Sequence, residues 1–203
     1  MRSVSYVCGI ASFSFMLILL SCQEKKTPPV PTSFTKTDSL TDTYLSLQDS
    51  VLQAWNMMLD DDNQKIKAMH NLTHELMVTD KEDIEKLVSI EQRLEQLVGL
   101  RYSQQTMGSP EVVEQYDFAT NSLISELISI AEAQAEFQYN STLQKLVDNI
   151  NLADQRVNSY REEYDYIISR YNRFLEENKT YLKEIDPQAK FEKMPVFEMA
   201  EAE

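Results

Sequence analysis

The sequence predicts an all-α protein, folded as an elongated antiparallel bundle of three to four long helices. Beyond residue 38, apolar residues recur at about 3.6-residue spacing almost without interruption, which is typical of amphipathic helices. Glycine is nearly absent from this region, where only Gly99 and Gly108 occur. Long helices joined by short loops have few packing options other than an antiparallel bundle.

The first predicted helix begins after Asp38 or Ser39 and ends near Val78. Its apolar face carries Leu40, Tyr44, Leu47, Val51, Trp55, Met58, Ile66, Met69, Leu72 and Leu76. The second begins at residues 79–82, "TDKE", where a threonine and a glutamate three positions later form a capping-box pattern. Its apolar face carries Ile84, Leu87, Val88, Leu94, Leu97 and Val98.

The clearest break in the chain is "GSPE" at residues 108–111. It indicates a glycine just past a helix end, a serine N-cap and a proline at the first helical position. A third helix then runs to about Gln138 through Val113, Tyr116, Ala119, Leu123, Leu127 and Ala131. The fourth runs from Leu143 to about Ile185, roughly 65 Å at 1.5 Å per residue. Its apolar positions are Leu143, Leu146, Ile150, Val157, Tyr160, Tyr164, Ile167, Ile168, Tyr171, Phe174, Leu175, Leu182 and Ile185.

The N-terminus is typical of an exported bacterial lipoprotein. Residues 1–21 contain Arg2 followed by an apolar run that is too short for an ordinary membrane-spanning helix. The run ends in "LLSC", residues 19–22, the lipobox pattern in which cleavage before Cys22 leaves that cysteine to receive a diacylglycerol. We therefore expect a membrane anchor at Cys22 and a location outside the cytoplasm, on a membrane and face that the sequence leaves open.

Four segments follow from these boundaries. Residues 1–21 are the signal peptide, residues 22–37 the acylated N-terminus and a proline-rich tether, residues 38–185 the helical bundle, and residues 186–203 a C-terminal tail. The whole chain has a net charge of −14, and loss of Arg2 with the signal makes the mature chain more negative still. Such a surface repels phosphate backbones, so no nucleic-acid partner is expected.

One stretch resembles a known family. "REEYDYIISRYN", residues 161–172, is similar to the signature of the LemA family of membrane-tethered bacterial helical bundles. The resemblance extends over residues 50–198, with "QRV" at 155–157 and a closing "FEKMPVFE" at 191–198. The positions that match the family and imply a structural or binding role are Trp55, Asn71, Arg156, Arg161, Tyr164, Tyr171 and Asn172.

For most of these residues the sequence favours a structural role. The seven-residue spacing of Tyr164 and Tyr171 indicates a packing seam, although a ligand-binding role is the alternative. Arg156 and Arg161 lie among carboxylates and are expected to form salt bridges within the bundle. We expect Asn71, Asn172 or both to be buried and hydrogen-bonded across helices, so that Asn172→Leu raises or barely changes the melting temperature.

Two polar groups raise the possibility of a metal. His70 and His74 are four residues apart on one predicted helix, a spacing that lets two imidazoles share an ion, but Asn71 stands where a metalloprotease has glutamate. "DDDN", residues 60–63, has oxygen ligands suited to calcium but lacks the glycine and distant glutamate of a calcium loop. The sequence favours surface histidines and a solvated acidic patch that strains the helix, with Asp62 close to the apolar face.

No pair of carboxylates, activated nucleophile, phosphate loop or cofactor motif stands out. We therefore expect no enzymatic activity and no cofactor. The leading interpretation is an interaction or scaffold module that presents helical surfaces to another envelope protein or to itself. The alternative is a small-ligand or metal-binding envelope module that uses the region of His70 and His74.

Overall fold

The protein is an all-α bundle of four helices, in a computed structural model that describes residues 35–79 and 84–197. The helices are α1 (Lys36–Thr79), α2 (Ile84–Leu100), α3 (Pro110–Ala133) and α4 (Ser141–Ile185), with a short 3-10 helix at Phe137–Tyr139 before α4. The predicted signal peptide, Cys22 and most of the tether lie outside the described residues. So does most of the predicted capping box, since residues 80–83 are not described.

The bundle is built on the two long helices, α1 and α4, which pack antiparallel along their length. Tyr44 near the start of α1 contacts Tyr171 near the end of α4, and Trp55 contacts Tyr164 one step further along. Lys65 then lies opposite Asp154. Each helix spans roughly 66 Å at 1.5 Å per residue, so the pair forms the frame on which everything else packs.

The shorter helices α2 and α3 form an antiparallel hairpin over only part of this frame. Arg93 of α2 pairs with Glu126 of α3, and His70 of α1 is bonded to Glu91 of α2. The other part of the frame is covered by residues 191–197, which run back along α4 with Phe191 against Tyr44 and Phe197 against Tyr164. The predicted tail thus contributes a buried residue, Phe197, to the core.

Several predicted details differ from the structure. Helix α3 ends at Ala133 rather than near Gln138, because the polar stretch that follows folds into a turn and the 3-10 helix. Helix α4 begins at Ser141, earlier than Leu143, because the Asn140 side chain caps it by accepting hydrogen bonds from the backbone N–H of Thr142 and Leu143. Helix α2 ends at Leu100, so Gly108 does not follow a helix end directly.

The predicted apolar face of α2 is partly wrong. Leu87, Leu94 and Leu97 are buried as expected, together with Ile90, whereas Ile84, Val88 and Val98 are exposed. The buried set follows a narrow stripe because α2 packs on α1 and α3 along one side only. Ile185, at the end of α4, is also exposed rather than buried.

Candidate functional site: a buried polar cluster in the bundle

A group of charged and aromatic side chains lies inside the bundle, where α1, α3, α4 and the α2–α3 loop meet. We call it the central polar cluster. Its members are Asp62, Lys65, Arg101, Tyr102, Tyr116, Asp117 and Arg161. Buried ionisable groups are costly unless they are paired, so such a cluster is the first place to look for function.

Asp62 is the anionic centre of one half of the cluster. Its side chain is only 9 % exposed. Its Oδ2 accepts a hydrogen bond from the Tyr116 hydroxyl at 2.6 Å and lies 2.8 Å from the Arg101 guanidinium. Its Oδ1 lies 3.4 Å from Lys65 Nζ. One carboxylate therefore joins α1 to the α2–α3 loop and to α3, and two cations balance its charge.

Arg161 is the cationic centre of the other half. Its guanidinium donates to the two Asp117 carboxylate oxygens at 2.7 and 2.8 Å and to the Tyr102 hydroxyl at 3.2 Å. Burial by itself lowers the pKa of Arg161, but the hydrogen bonds that Arg161 donates to Asp117 and Tyr102 outweigh it and raise the pKa above its usual value. Arg161 is therefore a fixed positive charge.

Aromatic rings enclose the Arg161 half of the cluster. Tyr102 meets Tyr116 and Phe197 edge to face, with ring centroids 5.6 and 5.4 Å apart. Trp55 and Phe197 both contact Tyr164. The Arg161 guanidinium lies 5.5 Å from the Tyr102 ring centre and 5.1 Å from that of Phe197, distances typical of cation–π contacts.

The buried tyrosines at this site have raised pKa values, and the carboxylates are paired with cations. Burial raises the pKa of Tyr102, and burial together with the negative charge of Asp62 raises that of Tyr116. Burial also raises the pKa of Tyr164 to about 12. The phenols therefore stay protonated at neutral pH, and the carboxylates are already bound to cations. A phenol that stays protonated does not act as a general base at that pH.

The predicted salt bridges of the two arginines are confirmed. Arg161 pairs with Asp117, and Arg156 pairs with Asp61 of α1. The prediction of a solvated acidic patch at residues 60–63 is wrong for Asp61 and Asp62, both of which are buried. Arg156 neutralises Asp61, Arg101 and Lys65 neutralise Asp62, and α1 continues through this stretch without interruption.

The two asparagines occupy different environments. One or both were expected to be buried, and Asn71 is instead exposed and lines a groove of about 280 Å³ that also borders Arg156. Asn172 is half-buried, and its partner is not another helix. Its side-chain amide donates to the Met194 carbonyl at 2.8 Å and accepts from the Met194 N–H at 2.9 Å. Asn172 thus binds the backbone of the chain that follows α4, at Met194.

Tyr164 and Tyr171 form the predicted packing seam. Both rings are buried, and Tyr171 stacks on Tyr44 with centroids 6.1 Å apart. Trp55 is buried on the same seam. Whether any of these residues also contacts a ligand stays a prediction.

The histidines do not form a shared site. His70 Nδ1 lies 2.7 Å from Glu91 Oε1 on α2, and His74 is exposed. Within residues 35–79 and 84–197, no three histidine, cysteine or acidic side chains come together in a way that could hold a metal ion. The geometry thus gives no support to the metal-binding alternative.

Sequence reasoning missed several cluster members, among them Arg101, Tyr102 and Asp117. Tyr102 and Met107 are buried although they belong to an otherwise polar loop, and that contrast was a usable signal. A second signal was the position of Asp62 and Lys65 within the apolar stripe between Met58 and Met69. Charged residues in a core register point to buried ion pairs.

Comparison with known proteins agrees with this architecture. The family model described as "LemA family" matches residues 63–203, more than half of the chain. The chain belongs to the LemA family. The match includes Arg156, Arg161, Tyr164, Tyr171 and Asn172, whereas Trp55 precedes it. No curated protein matches the chain.

Membership in the LemA family and the helical bundle agree with each other. Among the described helices, none combines the length and the apolar character needed to cross a bilayer.

Proposed function

We propose that this LemA protein is attached to the bacterial envelope by a lipid on Cys22 and acts by binding another envelope protein, without catalysis. The lipobox at residues 19–22 and the tether that follows support the anchor. The internal neutralisation of the central polar cluster supports a binding role over an enzymatic one, since each charge there already has a partner.

The observation that carries the binding proposal is the exposure of Phe118 on α3. Its side chain is 79 % exposed, and a large apolar ring in water is unfavourable unless something covers it. It borders a groove of about 260 Å³ between α2 and α3, whose apolar lining includes Leu97, Leu100, Ala119 and Leu123. We call this surface the α2–α3 face.

The proposed occupant of the α2–α3 face is an apolar side chain of a protein partner. The acidic net charge of the chain disfavours nucleic acid and anionic lipid headgroups, whereas an apolar groove suits an apolar side chain of a protein. Arg93 and Gln96 at the groove edge supply hydrogen-bond donors for the polar rim that protein interfaces usually have.

In-cell photocrosslinking tests the binding proposal. Benzoylphenylalanine at position 118 should capture one defined envelope protein, and Phe118→Asp should abolish that protein's co-purification. Position 139 is the matched control, because Tyr139 is 92 % exposed but belongs to the 3-10 helix rather than to the α2–α3 face. Equal capture from both positions, or none from position 118, would contradict the proposal.

Metabolic labelling tests the anchor separately. Cells fed a clickable palmitate analogue should label the wild-type protein and not the Cys22→Ser variant. Label that persists in Cys22→Ser would refute the lipid anchor without affecting the α2–α3 face.

A further inference from the structure

Residues 191–197, which we call the C-terminal segment, bind the bundle in the manner of an extended peptide. The segment has no helical structure, and side chains of α4 hold its backbone. Asn172 makes two hydrogen bonds to Met194, and Asp165 accepts one from the Phe197 N–H at 2.9 Å. Backbone recognition of this kind, combined with side-chain pockets, is how many proteins bind peptides.

Two aromatic anchors fix the ends of the C-terminal segment. Phe191 packs edge to face on Tyr44, with centroids 5.5 Å apart. Phe197 is 7 % exposed and sits in the cage made by Tyr102, Tyr164 and Arg161. A few well-packed residues carry most of the binding energy in typical interfaces, and Phe197 is the buried anchor here.

The α2–α3 loop supplies a third point of recognition. A Cβ added to Gly108 would lie 2.9 Å from Cβ of Pro195, too close for two carbon atoms that are not bonded. The surface therefore accepts Pro195 only because residue 108 is glycine. By contrast, a Cβ added to Gly99 meets nothing within 4 Å.

The connector between α4 and the C-terminal segment contributes little to this binding. In residues 186–190 every residue is exposed except Ala189, which is half-buried. The connector turns through local hydrogen bonds, from the N–H groups of Gln188 and Ala189 to Asp186 and from Lys183 Nζ to the Ala189 carbonyl. A copy of the C-terminal segment arriving from another molecule would make the same contacts with α1, α4 and the loop.

We propose that the C-terminal segment of one copy occupies this binding surface on a second copy, so that two chains exchange tails. The three recognition features fit this sequence in particular: the Asn172 amide for Met194, Gly108 for Pro195 and the aromatic cage for Phe197. Exchange preserves each contact, and the short connector makes the intramolecular arrangement dominant when the protein is dilute. This self-association is independent of the α2–α3 face.

A complementation experiment with full chains tests the exchange. Phe197→Ala has an intact binding surface but a defective segment, whereas Gly108→Ala has an intact segment but a blocked surface. Each variant alone should be monomeric by light scattering. Neither contains both a functional segment and a functional surface, so neither can bind its segment within one chain or between two copies. Mixed in equal amounts, they should form a heterodimer of twice the monomer mass, since one functional segment meets one functional surface.

Matched controls separate exchange from non-specific association. Gly99→Ala in place of Gly108→Ala should give much less heterodimer, because its own surface is intact and competes for its segment. A peptide of residues 191–198 should dissociate the heterodimer, and the same peptide with Phe197→Ala should not. Phe118→Asp in both chains should leave the heterodimer intact, which distinguishes this proposal from the proposed function.

The result that overturns the proposal is a mixture that stays monomeric while circular dichroism shows both variants to be helical. If Phe197→Ala does not fold, Met194→Pro replaces it, because proline removes the N–H that Asn172 accepts. A heterodimer that forms as readily with Gly99→Ala as with Gly108→Ala would equally overturn the proposal, because release of the segment would then make no difference.

Discussion

Arg161 and Asp117 join α4 to α3 through two hydrogen bonds of 2.7 and 2.8 Å, while the arginine also holds the Tyr102 hydroxyl. The Arg161 side chain is 5 % exposed and that of Asp117 is 31 % exposed. The pair is thus closed on the arginine side and partly open to water on the aspartate side. Arg161 is the more buried of the two groups, so loss of the ion pair would be more unfavourable for its charge than for that of Asp117.

The first prediction is that Asp117→Ala lowers the free energy of unfolding by about 2–4 kcal/mol, because it leaves a buried guanidinium without its carboxylate. Urea denaturation measures the loss. The double variant Arg161→Met with Asp117→Ala should lose less than the sum of the two single variants, since removing both charges leaves none unpaired. Additive losses would contradict a direct ion pair.

The second prediction compares two buried tyrosines. Tyr116→Phe removes the hydrogen bond to Asp62 and should cost about 1.5–3 kcal/mol, the usual range for a bond to a charged group. The Tyr164 hydroxyl is buried and forms no hydrogen bond of good geometry within the described residues. Tyr164→Phe should therefore be within about 1 kcal/mol of the wild type or more stable than it. Thermal melts of both variants measure the two losses of stability. A larger loss for Tyr164→Phe than for Tyr116→Phe would contradict the assignment of the hydrogen bond to Tyr116 alone.

The third prediction revises the expectation for Asn172. Because its amide holds both polar groups of the Met194 backbone, Asn172→Leu should destabilise the protein by about 1–2 kcal/mol rather than leave the melting temperature unchanged. Limited proteolysis should also cut the C-terminal segment sooner. Asn71→Leu is the matched control, since Asn71 is exposed, and should have little effect. A similar loss of stability in Asn172→Leu and Asn71→Leu would contradict a specific role of Asn172.

The helices were predictable because periodicity is a local property of the chain. Helix α1 was expected from about residue 39 to Val78 and runs Lys36–Thr79. The exposure of Val88 and Val98 was not predictable in the same way. Periodicity shows which residues share a side of a helix, but the width of the buried stripe depends on how many neighbours the helix has.

The buried ion pairs were harder to predict because their partners are distant in sequence. Asp61 pairs with Arg156 across 95 positions, and Arg161 with Asp117 across 44. A run of aspartates considered alone is most simply a solvated patch, and that reading is wrong for Asp61 and Asp62. Only the packing of α1 against α4 brings the opposite charges together.

The role of the C-terminal segment was also beyond local reasoning. Residues 191–197 lack helical periodicity, and their fixed conformation depends on side chains of α4 such as Asn172 and Asp165. The resemblance to the LemA family included residues 161–172 and residues 191–198 as two separate matches. It did not indicate that they contact each other.

The fourth prediction concerns pH. Burial raises the pKa of Asp165 above its ordinary 3.8, although the Phe197 N–H and the nearby Arg161 offset part of the effect. The native state therefore holds the proton more tightly than the unfolded chain does. In the window just above 3.8, the contribution of this group to stability falls as the pH rises, and the charged carboxylate disfavours folding at neutral pH.

Asp165→Asn keeps an oxygen to accept the Phe197 N–H and removes the charge. At about pH 7 the variant should be more stable than the wild type by a few tenths of a kcal/mol, since water still screens this half-buried group. At about pH 3 the difference should vanish, because the wild-type carboxyl is then neutral as well. Urea denaturation at both pH values measures it. Asp148→Asn, which removes a charge from an exposed position of the same helix, controls for net charge. A greater advantage of Asp165→Asn at the lower pH would show that the sign of the argument is wrong.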